Sequence, residues 1–177
     1  GRDAVLDKVG VSPTGDSFNA IELDEATNRA PNPMVNAGAI AVTDLISGDS
    51  LEERVEIMRS MYERYLGRRP EIDHDVWASE QATGNRNRAI AYLMLSRGIV
   101  GDDVEETLDL YFAQCSVLVT VADLAMIGAP IATFFAAVVA LPYVLSSEEQ
   151  LSRPLDAYFE AMSVMTTTVS SVAADLT

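Results

Sequence analysis

The chain has very few of the residues that build disulfides, metal sites or nucleic-acid interfaces. It contains one cysteine, Cys115, and one histidine, His74, among 177 residues. A single cysteine excludes an internal disulfide, and neither residue has the partners of a zinc site. Only 12 residues are Lys or Arg against 27 Asp or Glu, which gives a formal net charge of −15. Phosphates would be repelled, so we expect no nucleic-acid partner.

Apolar residues are abundant enough to form a core. The chain is 49% hydrophobic and 22% charged, as expected for a soluble globular domain. No basic and apolar leader opens the sequence, so we expect no signal peptide and a cytoplasmic location. The first residue is Gly1 rather than methionine. We interpret the chain as a piece of something longer.

The stretch 31–40, PNPMVNAGAI, is the most informative local pattern. Its two prolines flank Asn32 and predict an extended entry. Small and apolar residues then predict a buried helix over 37–46, in which Ala37 and Gly38 permit a close approach of another segment. Asn36 stands at the junction, where its amide can cap the helix or point into a pocket. Spacing alone favours the cap, whereas the prolines and small residues favour the pocket.

Capping residues and apolar spacing predict the other elements. The clearest is a helix between Ser50, paired with Glu53 in a capping box, and Gly67. A short extended segment is expected over 18–23. Further helices are predicted over 3–9, from about 76 to the break at 83–85, over 88–95 with Asn87 as its N-cap, from 102 past Cys115, and over 121–129 after Thr120.

One acidic side chain and one amide side chain flank the turn at Gly84. Glu80 precedes it and Asn87 follows it, so both can converge on one cavity; an exposed glutamate and an ordinary helix cap explain them equally well. Tyr111 lies in a stripe with Leu108 and Cys115, a pattern typical of a core tyrosine whose hydroxyl is hydrogen-bonded. His74 lies in a polar loop and Cys115 in an apolar stripe, so we expect loss of Cys115 to cost packing rather than chemistry.

Several short motifs, taken together, resemble those of the serine-dependent glutaminases, which share the fold of β-lactamases and penicillin-binding proteins. In chain order the motifs are Val9-Gly10, Pro13-Thr14-Gly15, Phe18-Asn19, Asn32-Pro33, Asn36-Ala37-Gly38-Ala39, Ser79-Glu80, Thr83-Gly84, Arg86-Asn87, Tyr111-Phe112, Gln114-Cys115-Ser116, Asp123-Leu124-Ala125 and Gly128-Ala129. The resemblance implies a mainly α chain, an incomplete helical subdomain of an α+β β-lactamase-like fold. Residues 1–129 would be a partial glutaminase domain and residues 130–177 its divergent tail.

The resemblance also implies hydrolysis of L-glutamine to L-glutamate and ammonia. The family uses a serine nucleophile in a Ser-x-x-Lys motif, with the lysine as base and an acyl-enzyme intermediate. By motif position, the substrate-binding residues would be Asn36, Glu80, Asn87 and Tyr111. The resemblance implies that neither His74 nor Cys115 is catalytic. No metal or organic cofactor is implied, and the intact family member is expected to be a homo-oligomer.

Two departures from the family pattern limit what this chain can do. The only lysine is Lys8, and the position three residues before it is Val5, so the chain has no Ser-x-x-Lys motif. After Ala129 the family's Asn-Gly-Gly, Gly-x-Tyr-Asp and Ser-Gly-Val elements are missing. We therefore expect this chain alone to be inactive. A non-catalytic glutamine-binding or oligomerisation remnant is the alternative.

The tail contains a long uncharged segment. Residues 124–147 have no charged side chain over a length that can span a bilayer, but Gly128, Pro130 and Pro142 favour a segment buried in the fold over a membrane helix. Apolar spacing predicts a helix over 147–165, and the last ten residues are expected to be loose.

Overall fold

The computed structural model describes residues 1–128. The chain divides into two compact units, Gly1–Leu118 and Val119–Thr177. The first unit contains the six helices α1 (Arg2–Lys8), α2 (Asn36–Thr43), α3 (Leu51–Leu66), α4 (His74–Thr83), α5 (Asn85–Ser96) and α6 (Val104–Cys115). Its only β pairings are two isolated bridges, Val9 with Ala30 and Ile72 with Val117. The prediction of a mainly helical chain is thus confirmed for the described residues.

Helices α2 and α6 form the centre of the first unit. α2 packs against α1, α5 and α6, and α6 packs against α2, α3, α4 and α5. α6 also contributes to both hydrophobic clusters, Leu108 and Phe112 to the larger one and Leu110 and Ala113 to the smaller. Because α6 is buried on two sides, it fixes the positions of the surrounding helices.

Helix α2 is shorter than predicted. It starts at Asn36 and ends at Thr43. The following turn has hydrogen bonds to the residue three positions back, from Leu45 N to Val42 O at 3.1 Å and from Ile46 N to Thr43 O at 3.0 Å. The carboxylate of the C-cap residue Asp44 accepts hydrogen bonds from Lys8 and Thr107, which lie outside the helix. A Cβ at Gly38 would lie 1.9 Å from the carbonyl oxygen of Asn32, so the close approach expected at this glycine is present.

Helix α3 has its predicted boundaries. The Ser50 hydroxyl accepts a hydrogen bond from Glu53 N at 3.2 Å, and Gly67 ends the helix with a φ of 67°. The Glu53 carboxylate binds the backbone N–H of Asp49 at 2.7 Å rather than that of Ser50. The capping box is therefore present with its second bond shifted by one residue.

Helices α4 and α5 both begin earlier than predicted. Asp73 caps α4 because its carboxylate accepts from Asp75 N and Val76 N, both at 3.0 Å. Gly84 ends α4 and is the N-cap of α5, since it donates to Glu80 O and accepts from Arg88 N. Asn87 is consequently inside the first turn of α5, and its prediction as N-cap is wrong.

The segment 18–23 contains no strand. Phe18 and Asn19 lie in a turn, and Ala20 N donates to Ser17 O at 2.9 Å. The weak alternation of apolar residues has no neighbouring strand to pair with in this part of the chain. The prediction of an extended segment is therefore wrong.

The second unit is described only over residues 119–128. Residues 121–128 are helical, and Thr120 caps them by accepting from Asp123 N at 3.2 Å, while Asp123 accepts from Thr120 N at 2.7 Å. The predicted cap is confirmed. Among residues 1–128, no helix has the length and apolar character to cross a bilayer. The predictions for residues 130–177, including the helix over 147–165 and the loose terminus, lie outside the described residues.

Candidate functional site

Asn36 and Asn87 form a side-chain pair between α2 and α5. The Asn36 Nδ2 donates to Asn87 Oδ1 at 2.9 Å, and both residues are half-buried. The N-cap residue of α2 is Val35, and the backbone N–H of Asn36 donates to Phe18 O at 2.8 Å. Of the two interpretations of Asn36, the helix cap is thus wrong. Within residues 1–128, Asn36 Oδ1 and Asn87 Nδ2 keep one free acceptor and one free donor for a ligand.

Tyr111 and Cys115 form a second pair, one turn apart on α6. Tyr111 is 7% exposed, and its hydroxyl lies close enough to the Cys115 thiol for each group to shift the pKa of the other. Burial raises the pKa of the Tyr111 hydroxyl well above its ordinary value, and the thiol and the Glu80 carboxylate act in the same direction. The phenol is therefore protonated at neutral pH and can donate a hydrogen bond.

Glu80 lies near both members of this second pair. It is half-buried on α4, and its negative charge raises the pKa of Tyr111 and of Cys115. The largest cause of the raised Cys115 pKa is again burial, although the residue is exposed at the end of α6. Our prediction of Cys115 as a packed residue of the apolar stripe is wrong, because α6 ends there and its last residue reaches the surface.

Gly84 connects the two pairs through the backbone. It follows Glu80 by one turn and precedes Asn87 by three residues, and the ring of Phe112, next to Tyr111, lies against it. No hydrogen bond between side chains joins Asn36 or Asn87 to Glu80 or Tyr111 within residues 1–128. The structure thus brings together Asn36 with Asn87, and Glu80 with Tyr111, on helices that pack on one another.

A polar cluster around Asp44 was not anticipated from the sequence. The Asp44 carboxylate accepts from Lys8 Nζ at 2.8 Å, from the Thr107 hydroxyl at 3.0 Å and from Gly101 N at 3.3 Å. It lines a cavity of about 250 Å³ together with Arg54. These partners are 36 to 63 residues away in the chain, so no local pattern could indicate them. Because each group already has a protein partner, the cluster serves to join α1, α2 and α6.

Carboxylates, imidazole and thiol do not gather into a metal site in residues 1–128: no group of three or more is close enough to hold an ion. The charged and polar groups of the two pairs are instead hydrogen-bond donors and acceptors. Such groups suit a small zwitterionic ligand, whose ammonium needs a carboxylate and whose carboxylate needs N–H donors.

Sequence comparison identifies the family. The model of the family described as Glutaminase matches residues 1–150, most of the chain. The chain belongs to the glutaminase family. The family match extends past Ala129, where the resemblance based on motifs stopped.

Curated bacterial glutaminases are similar to this chain over the same region. The glutaminase of Microcystis aeruginosa is 58% identical over 132 residues, which are 75% of this chain and 39% of that protein. Glutaminase 2 of Clostridium perfringens is 47% identical over 135 residues, 75% of this chain and 44% of that protein. The chain therefore spans about two fifths of the length of the curated glutaminases it matches.

Solved structures, among them a glutaminase, have the same fold over the matched part. A Bacillus glutaminase crystallised in 4.3 M NaCl matches with a TM-score of 0.70 and 41% identity, over 75% of this chain and 45% of that one. The structure of Mglu in its glutamate form matches with a TM-score of 0.67 and 35% identity, over 98% of this chain and 39% of that one. The helical arrangement described above is thus that of a glutaminase.

Proposed function

We propose that this chain is the substrate-binding part of an enzyme that hydrolyses L-glutamine to L-glutamate and ammonia. The supporting observation is the placement of Asn36 against Asn87, and of Glu80 beside Tyr111, on four helices packed in one unit. The family membership and the glutamate form of Mglu support an amino-acid ligand.

Each of the four residues has a defined role in the proposal. The Glu80 carboxylate binds the α-ammonium of glutamine by a charge-assisted hydrogen bond. Asn87 Nδ2 donates to the α-carboxylate, and Asn36 Oδ1 accepts from the ammonium. The protonated hydroxyl of Tyr111 donates to the oxygen of the reacting side-chain amide. Tyr111 is buried and the other three residues are half-buried, which strengthens such contacts relative to bulk water.

The chemical step requires residues that this chain lacks. In the proposed mechanism a serine oxygen attacks the side-chain amide carbon, ammonia leaves, and water hydrolyses the acyl-enzyme. No Ser-x-x-Lys motif occurs in the 177 residues, and the single lysine, Lys8, forms an ion pair with Asp44. We therefore propose that the chain binds glutamine but does not acylate by itself.

The proposal extends to the architecture of the whole enzyme. We infer that the helices are the incomplete helical subdomain of an α+β β-lactamase-like fold, with residues 1–129 as the partial glutaminase domain and 130–177 as its tail. The mainly helical described part and the glutaminase neighbours support this. We also infer a cytoplasmic homo-oligomer, as the family resemblance implies.

A chimera tests the proposed function. The matched 132 residues of the Microcystis aeruginosa glutaminase would be replaced by the corresponding stretch of this chain, and ammonia release from L-glutamine would be measured. The proposal predicts turnover by the chimera and none by the 177-residue chain, which should still bind L-glutamine in a calorimetric titration. Binding by the chain with an inactive, folded chimera would favour a non-catalytic glutamine-binding remnant. Failure of both to bind glutamine would reject the proposal.

A further inference from the structure

A cavity of about 320 Å³ lies between α3, α4 and the segment that connects them. This volume is within the range of small-molecule sites. Its walls are held in place, because Asp73 N donates to Ser116 O and Leu118 N donates to Glu71 O, each at 2.9 Å. None of the four proposed substrate-binding residues lines this cavity. It is lined by Val55, Arg59, Glu71, Ile72, His74 and Trp77.

Trp77 has an unsatisfied hydrogen-bond donor. Its indole lines the cavity and stacks on His74 with ring centroids 5.9 Å apart. Its Nε1–H is the one buried side-chain polar atom of residues 1–128 that has no hydrogen-bond partner. An indole N–H can only donate, and an unpaired buried donor costs free energy. A group that meets it must therefore be an acceptor.

Charged groups of both signs stand at the same cavity. Arg59 donates from Nε at 3.2 Å and from Nη2 at 2.9 Å to Pro70 O, so its Nη1 remains available. The Glu71 carboxylate is exposed, and no hydrogen bond or ion pair within the described residues engages it. Val55 and Ile72 add apolar surface. The cavity thus offers donors for a carboxylate, an acceptor for an ammonium and a wall for an apolar side chain.

We propose that this cavity binds a free α-amino acid with an apolar side chain. Its carboxylate accepts from the Trp77 indole and from Arg59 Nη1, its ammonium contacts Glu71, and its side chain packs on Val55 and Ile72. Because Nε1 is buried in the free chain, binding requires the indole to rotate so that its N–H faces the ligand. Trp77 precedes Glu80 by three residues on α4, so the ligand contacts the helix that carries Glu80. The proposal does not depend on the glutaminase activity.

Trp77 also provides the measurement, since it is the only tryptophan of the 177 residues. The full chain labelled with ¹⁵N shows one indole N–H resonance, which is titrated with L-leucine. L-leucinamide, which lacks the carboxylate, and N-acetyl-L-leucine, which lacks the ammonium, are the matched probes. We expect a saturable downfield shift with L-leucine and affinity at least about tenfold weaker for either analogue, as for loss of a charged hydrogen bond.

Three variants locate the signal. Glu71→Gln should weaken L-leucine binding about tenfold or more, whereas Glu52→Gln, an exposed glutamate on α3, should not change it. Glu80→Gln should also leave it unchanged. No saturable shift with L-leucine in the folded chain, equal binding of all three probes, or unaltered binding by Glu71→Gln would overturn the proposal. A shift lost in Glu80→Gln and kept in Glu71→Gln would assign the signal to the proposed glutamine site instead.

Discussion

Gly84 lies closer to Phe112 than any other residue type permits. A Cβ built at Gly84 would stand 2.4 Å from Cζ of Phe112 and 2.7 Å from the carbonyl oxygen of Glu80. Phe112 is fully buried on α6, so its ring has no free space to move into. The junction of α4 and α5 is thereby pressed against α6. Because Glu80 and Asn87 flank this junction, the contact sets where both side chains are presented.

We predict that Gly84→Ala destabilises the chain by about 1–3 kcal/mol, the usual cost of overpacking a core. Alanine also restricts the backbone of the unfolded chain, which by itself would stabilise the folded protein by roughly 0.4–1 kcal/mol. The measured destabilisation is therefore the overpacking cost minus this amount. Urea unfolding gives the free energy. Gly15→Ala is the control, because a Cβ there has no atom within 4 Å. Equal stabilities of the two variants would show that the junction can relax.

Arg54 is a charged residue inside the packing of α3. It is 6% exposed, and its guanidinium donates to Ile46 O and to Glu106, both at 2.8 Å. Removing one partner of a buried pair leaves the others unsatisfied. We predict that Arg54→Ala lowers the free energy of unfolding by about 3 kcal/mol, the low end for a buried pair, since Glu106 is partly exposed. Arg64→Ala, at an exposed position of the same helix, should change it by less than about 0.5 kcal/mol. Similar losses in both variants would contradict the assigned role.

The sequence predicted the helix boundaries that depend on residues adjacent to the helix ends. The boundaries of α3 depend on Ser50, Glu53 and Gly67, all adjacent to the helix ends, and they were predicted correctly. The start of α5 was missed because it depends on Gly84 being shared with α4. The contacts of Asp44 with Lys8 and Thr107 at the end of α2 were also missed. A capping pattern carries no information about such distant partners.

The candidate site also combines features that short motifs indicate with contacts between residues far apart in the chain. The residue types of Asn36, Glu80, Asn87 and Tyr111 follow from the family motifs. The bond between Asn36 and Asn87 joins residues 51 positions apart, and nothing in either local segment indicates it. Arg54 is a further example, because its partner Glu106 is 52 positions away and no local pattern indicates their contact. Motifs indicate which residues are candidates for the site, and packing determines which of them meet.

Cys115 should react slowly although it is exposed. Its pKa is raised, mainly by burial, so the nucleophilic thiolate is a smaller fraction at neutral pH than in a free cysteine. We predict that its alkylation by iodoacetamide at pH 7–8 is slower than in the urea-unfolded chain, and that the rate continues to rise above the pH at which the unfolded thiol reaches its maximum. A native rate equal to the unfolded one would contradict this. Since Cys115 is exposed, Cys115→Ala should cost less than about 1 kcal/mol of stability.

The neighbours of Cys115 should change this rate in opposite directions. The Glu80 charge raises the pKa of the thiol, so Glu80→Gln should lower that pKa and speed alkylation. The Tyr111 hydroxyl lowers the pKa of the thiol, so Tyr111→Phe should raise that pKa and slow alkylation. Glu52→Gln, which is exposed on another helix, is the control for a general charge effect. Changes of the same sign in both variants would show that Glu80, Tyr111 and Cys115 do not meet as described.

Glu80 should determine substrate affinity in the active chimera. If its carboxylate binds the ammonium of glutamine, Glu80→Ala should weaken glutamine binding by about 1.5–3 kcal/mol, the range for a hydrogen bond to a charged group. Glu52→Ala should leave binding unchanged, because that side chain is exposed on α3. The ammonium-free analogue of glutamine provides the second half of a cycle: it should bind the parent chimera and Glu80→Ala equally weakly, since each lacks one partner of the same contact. Calorimetric titration of both ligands into both proteins measures the coupling. A coupling free energy near zero would mean that Glu80 does not bind the ammonium directly.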